Sequence, residues 1–192
     1  ERALLHVGAD ARLTADPGLV ADSDAVVLPG VGAFGACMDA FRSAGLEDTT
    51  RSAVASGRPF LGICVGMQML FDASEEDPSA RGLGIIPGTV RWIPAGVKRP
   101  QMQWNRLAFG SRVDPVFAGL SADATWMYFV HSLHGIPDDP SVVIATTDYG
   151  GDLNVAFRSG NVVATQFHPE KSAHDGLALL ANFTRISAGT TF

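Results

Sequence analysis

The 192 residues carry 20 acidic and 14 basic side chains, a net charge of -6, and the Lys and Arg are dispersed rather than run together. A nucleic-acid partner, which needs a basic stripe, is therefore not expected. A content of 46 % hydrophobic and 18 % charged residues is globular, and this length buries one core well enough for a single domain over residues 1–192. No apolar run reaches the roughly 18 residues of a membrane span, and no basic-then-apolar leader opens the chain. Two cysteines, Cys37 and Cys64, are too few for a disulfide framework, so reduced thiols in a cytoplasmic protein are expected. The chain opens at Glu1 without an initiator Met, which suggests further residues before it. No metal or organic cofactor is implied, because the five His and two Cys form no ligand-spaced cluster.

In chain order, the opening stretch looks helical. Residues 25–28 read as a buried strand ended by Pro29 and Gly30, residues 37–44 and 46–55 as helices, and residues 60–63 as a second strand. Val65, Met69 and Leu70 share one face of a 3.6-residue period, predicting a helix over 65–71. The second half is β-rich, with strands predicted over 89–93, 125–130, 142–147, 153–158 and 162–167. Turns at 148–151 and 159–161 carry the Gly and Asn that positive φ requires. An amphipathic helix over 173–186 and a frayed Thr-Thr-Phe tail close the chain. Short apolar runs alternating with helical segments predict an α/β fold, with a mostly parallel but mixed central sheet flanked by helices.

Three segments carry the chemistry. Gly62-Ile63-Cys64-Val65-Gly66 falls where a strand meets a helix and has the form of a nucleophile elbow with sulfur for oxygen. Glycines on each side let the two elements approach, and a helix N-terminus favours the thiolate. On the pentapeptide alone, a buried structural Cys is as good a reading. His168-Pro169-Glu170 follows the strand over 162–165 and supplies a base with a carboxylate to orient it, although a lone His after a strand is more often a packing residue. Pro29-Gly30-Val31-Gly32 forms a turn from which the Val31 N–H, with that of Val65, would face a tetrahedral oxyanion. An ordinary strand-to-helix turn has the same pattern.

Taken together the segments resemble the class I glutamine amidotransferases, which share Gly-x-Cys-x-Gly-x-Gln, here Gly62 to Gln68, and a later His-x-Glu, here His168 to Glu170. Within that class Pro-Gly-Val-Gly-Ala-Phe at 29–34, Tyr-Phe-Val-His-Ser at 128–132, Thr-Thr-Asp-Tyr-Gly-Gly at 146–151 and residues 166–172 are similar to the glutaminase subunits of imidazole glycerol phosphate synthase. The resemblance implies Cys64 as nucleophile, His168 as acid and base, and Glu170 as its orienting group. It also implies that Gln68 and the backbone at Ser132 and Leu133 hold glutamine, and that the partner is a (β/α)8-barrel cyclase receiving ammonia. Trp104, Tyr128 and Lys171 fall where family members meet that barrel, though core packing for the two aromatics and a solvated charge for Lys171 are the plainer readings.

Two departures stand out. The family opens with a first strand and an Asp-Tyr-Gly-x-Gly-Asn segment that this chain lacks, and Gln101 and Gln103 replace residues that are often His and Gly. Competing readings are another class I glutaminase, against which Val31 and the Lys171-Ser172 pair argue, a non-catalytic docking subunit of the same fold, and a cysteine hydrolase, which Gln68 and the His-Pro-Glu spacing disfavour.

Overall fold

The computed structural model describes residues 1–110, 113–121 and 124–189; the predicted frayed tail, Thr190, Thr191 and Phe192, lies outside them. The first elements are α1 (Arg2–His6), α2 (Pro17–Ala21), β1 (Val26–Gly30), α3 (Phe34–Ser43), α4 (Leu46–Ala55), β2 (Phe60–Cys64) and α5 (Val65–Gln68). They are followed by β3 (Ala73–Ser74), β4 (Asp77–Arg81), β5 (Gly88–Trp92), β6 (Gln101–Arg106), β7 (Ala108–Phe109), β8 (Trp126–His131) and β9 (Leu133–Pro137). The chain closes with β10 (Val143–Asp148), β11 (Asp152–Ser159), β12 (Val162–Thr165) and α6 (Ala173–Ser187).

Local chemistry sets many of these bounds. Asp16 accepts the Leu19 N–H at 2.9 Å and Pro17 opens α2, a capped start that suits a helix of one turn. The Arg58 guanidinium then closes α2 by donating to the carbonyls of Val20, Ala21 and Ser23. In α3 the buried Phe34, Met38 and Phe41 recur at helical spacing. Glu47 and Asp48 stand in the first turn of α4, where the helix dipole favours negative charge. Gly160 turns the β11–β12 hairpin with φ 57°. Beside it Asn161 donates to the carbonyls of Val54 and Arg58, tying the hairpin to the end of α4.

The main sheet has the order β1-β2-β12-β11-β10-β7, with a four-stranded sheet β4-β3-β5-β9 and a two-stranded sheet β6-β8 beside it. It is mixed, but the expectation of mostly parallel pairing holds only for β1, β2 and β12; the pairings from β12 through β11 and β10 to β7 are antiparallel. The reason is connectivity: β10, β11 and β12 follow one another through tight turns, which only antiparallel neighbours permit. The parallel part is the part that carries the site. Among the described residues no strand pairs with the outer edge of β1. A groove of about 910 Å³ lined by Leu13, Leu19, Val27 and Phe41 runs there instead. Pro29 belongs to β1 rather than ending it, and proline is tolerated in a strand at such an edge. No helix among the described residues is long and apolar enough to cross a membrane.

Candidate active site

The helix after β2 is shorter than its sequence period implies: α5 ends at Gln68 because the chain turns back at once to bond Leu83 to Met69 and Ile85 to Leu70. Cys64 joins β2 to α5 with φ 54° and ψ -116°, a backbone that L-residues rarely adopt. Its neighbours explain how that strain is held. A Cβ on Gly66 would lie 2.0 Å from the Leu28 carbonyl oxygen, and one on Gly30 would lie 2.6 Å from the Gly66 nitrogen. Thus β1 and α5 touch through backbone alone, and only glycine fits at either position.

That contact brings the third segment to the elbow. Gly30 stands opposite Cys64 in the parallel pair of β1 and β2, so Val31 is the first residue beyond the level of Cys64, and it is 74 % exposed. The loop is anchored behind by α3. The Cys37 thiol donates to the Val31 carbonyl at 3.3 Å, and the Glu76 carboxylate accepts the Phe34 N–H at 2.6 Å. Burial, then the charges of Glu76 and Cys64, push the Cys37 thiol up, which keeps it a donor.

The second parallel pairing, β2 with β12, delivers His168. The predicted strand over 162–167 stops at Thr165, and Gln166 leaves the pairing to bond Val155. His168 is buried and its Nδ1 lies 2.7 Å from Glu170 Oε1. Pro169 opens a single 3-10 turn that folds Glu170 back to this position. The His168 main chain is fixed as well: its N–H donates to Tyr128 O at 3.1 Å and its carbonyl accepts from Ser172 Oγ at 2.6 Å. Nε2 is buried and is the ring nitrogen not engaged by Glu170, with Cys64 beside the ring. Burial alone would lower the His168 pKa, but the neighbouring Cys64 and Glu170 outweigh it and hold the group at about 9. Burial likewise works to raise Glu170, and the bond and charge of His168, with Lys171, bring it below the usual carboxylate range.

Gln68 and Gln166 complete the buried polar set. Gln68 Nε2 donates to Gln166 Oε1 at 3.1 Å, and Gln166 Nε2 donates to Cys64 Sγ at 3.7 Å. The sequence singles out Gln68 and gives Gln166 no role of its own. Ser132 and Leu133 lie at the corner between β8 and β9, with Ser132 O accepting from Ile93 N at 3.0 Å.

Two of the three predicted interface residues, Trp104 and Tyr128, share one face of the two-stranded sheet. Trp104 pairs with Tyr128 across β6 and β8, their rings edge to face at 6.0 Å between centroids. Trp104 is 43 % exposed, and core packing does not account for it. Met102 and Trp126, which sequence reasoning missed, extend this face. Lys171 is exposed beside Glu170.

Comparison with known proteins fits this geometry. The family model for glutamine amidotransferase class-I matches residues 6–186. A solved structure described as glutamine amidotransferase superposes with a TM-score of 0.71 at 23 % identity, over 97 % of this chain and 91 % of the other. The imidazole glycerol phosphate synthase subunit HisH of Syntrophotalea carbinolica is 48 % identical, over 92 % of this chain and 88 % of its own. That of Methanothermobacter thermautotrophicus is 46 % identical, over 96 % and 90 %. The chain belongs to the class I glutamine amidotransferases and, within that class, to the family of imidazole glycerol phosphate synthase subunit HisH.

Proposed function

We propose that the chain, folded as one domain over residues 1–192, is the glutaminase subunit of imidazole glycerol phosphate synthase, acting in the cytoplasm in histidine biosynthesis. The observation that carries this reading is the seating of Cys64 on a positive-φ elbow beside the ring of His168, which Glu170 holds at 2.7 Å through Nδ1. Two parallel strand pairings onto β2 bring Gly30 and His168 to the end that holds Cys64.

In the reaction, Cys64 gives its thiol proton to His168 and its Sγ attacks as the thiolate on the side-chain carbonyl carbon of glutamine, forming a tetrahedral oxyanion that the N–H groups of Val31 and Val65 receive. His168, protonated near neutral pH with its pKa at about 9, gives its Nε2 proton to the departing nitrogen. The C–N bond breaks, ammonia leaves, and a γ-glutamyl thioester remains. His168 then takes a proton from water as that water attacks the thioester, and glutamate departs. Glu170 fixes the ring and its Nδ1–H throughout. Gln68 and the backbone of Ser132 and Leu133 hold the amino-acid end of the substrate.

The ammonia passes to a (β/α)8-barrel cyclase docked on the face of Trp104 and Tyr128, with Lys171 at its margin. Exposed aromatic side chains of this kind are what a protein interface buries. The test is glutamate release by the chain alone and with the cyclase carrying its substrate, for the wild type and Cys64→Ala. Loss of hydrolysis in Cys64→Ala with an unchanged fold is the expected result; undiminished release would end the assignment, and a wild type inert in both settings would make this a docking subunit.

A further inference from the structure

The proposed reaction uses His168 and leaves a second buried histidine without a task. His131 ends β8 and stands opposite Gln101 on β6, both side chains buried. Its Nδ1 lies 2.6 Å from the Leu133 carbonyl oxygen, and its Nε2 lies 2.7 Å from Gln101 Oε1. A neutral imidazole has one N–H, so it cannot donate to two acceptors. A cationic ring would satisfy both. Burial, however, pulls the His131 pKa to about 4 against the help of the Leu133 carbonyl, and the charges of His134 and His168 push it the same way.

Gln101 resolves the conflict. Its Nε2 is buried without a partner, and the oxygen and nitrogen of a side-chain amide exchange places by a half-turn. Turned, the amide N–H donates into the lone pair of His131 Nε2, and the single ring proton sits on Nδ1, facing Leu133. The oxygen moves to the place where the N–H had no acceptor, and a buried carbonyl tolerates that better than a buried N–H.

The corner that this proton holds is the one the proposed glutamine seat uses. Between β8 and β9 only Ser132 intervenes, and there the chain leaves the pairing with β6 for the pairing with β5. Ile93 N–H holds Ser132 O, and Trp92 N–H, opposite Leu133, donates to Glu75 instead. We infer that Gln101 locks His131 as the neutral Nδ1–H tautomer, and that His131, through the Leu133 carbonyl, is a positioning residue for the backbone of Ser132 and Leu133 that receives glutamine. This rests on the reading above that these two residues contact the substrate.

Long-range proton–nitrogen correlation spectra of the labelled full chain at pH 7 read the tautomer directly. A proton on Nδ1 and a bare Nε2 are expected; a proton on Nε2, or on both nitrogens, overturns the inference. In the assembled enzyme His131→Leu should raise KM for glutamine about tenfold, the worth of one hydrogen bond, with kcat changed less than about threefold. His131→Asn, whose amide N–H reaches the same carbonyl, should recover most of that affinity. Equal KM values for the two variants, or a fall in kcat with KM unmoved, overturn it. Should His131→Leu not fold, Gln101→Glu keeps the ring but offers Nε2 an acceptor in place of the donor, and must bring a proton to Nε2; a ring still bare at Nε2 would overturn the lock. Glutamine added to the Cys64→Ala protein separates the two claims. No shift of the Ser132 and Leu133 amides overturns the substrate contact itself, whereas a shift there with unaltered KM in His131→Leu overturns the role of His131 alone.

Discussion

Gln166 donates its side-chain N–H to Cys64 Sγ across 3.7 Å while its oxygen accepts from Gln68. The sulfur, Gln68 of the elbow and the strand that leads to His168 are thus joined by one buried amide. Gln166→Leu removes the donor to sulfur and leaves the Gln68 N–H without its acceptor. It should destabilise the fold by about 1–3 kcal/mol in denaturant unfolding and lower kcat/KM at least about tenfold. Unchanged values in both measurements would make Gln166 a packing residue.

The His168–Glu170 bond makes the two residues one unit. On the proposed mechanism His168→Ala removes the proton carrier, whereas Glu170→Gln leaves the ring present but less firmly oriented, so the first change should reduce kcat more. The double variant should lose little beyond His168→Ala. Additive losses in kcat would show that Glu170 acts independently of the imidazole.

The oxyanion reading of Val31 can be tested without disturbing the elbow. A side chain at residue 30 collides with α5, but Val31 faces solvent and follows the extended Gly30, a backbone that proline accepts before it. Val31→Pro deletes the N–H and leaves the carbonyl that accepts from Cys37. The expected loss in kcat is about 100- to 1,000-fold, the cost of one oxyanion donor. A loss below about tenfold would assign the donor elsewhere.

Stability should fall on both sides of neutrality, for opposite reasons. His168 has its folded pKa raised from 6.5 to about 9, so its contribution is complete below pH 6.5 and disappears as pH rises through 9. That contribution is at most about 3 kcal/mol. His131 and His134 are lowered to about 4, chiefly by burial, so their contribution is present above pH 6.5 and disappears as pH falls through 4. Thermal melts across pH 4 to 10 should give a maximum near pH 6.5. Cys64→Ala should flatten the alkaline limb, because Cys64 is one of the groups that raise His168; an identical limb would assign the slope to other groups.

The elbow was legible because its residues are local: Gly62, Cys64 and Gly66 fall within one pentapeptide, although the contact that demands glycine at 66 comes from Leu28 on the neighbouring strand. The strands β6 and β9 were not. In β6 the sequence Gln-Met-Gln-Trp-Asn does alternate, but in the reverse sense for a strand over a core: the apolar Met102 and Trp104 are exposed and Gln101 is buried. In β9 Gly135 looks like a break, yet its missing side chain is the space filled by the rings of Phe71 and Phe157. β4 was hidden by Pro78, which its place at a sheet edge allows. Gln166 escaped notice because its partners, Cys64 and Gln68, lie about a hundred positions away in sequence.

Along β8 the residues alternate between surface and interior: Trp126, Tyr128 and Val130 on one side, buried Met127, Phe129 and His131 on the other. The same Tyr128 whose ring meets Trp104 outside receives the His168 N–H through its carbonyl and gives its own N–H to Ser172. A single inserted or deleted residue in this strand would exchange its two faces at once, turning the aromatic exterior inward and cutting the imidazole's main-chain tether in the same stroke. The length of β8 is therefore as constrained as its composition, and drift in this lineage must proceed there by substitution alone.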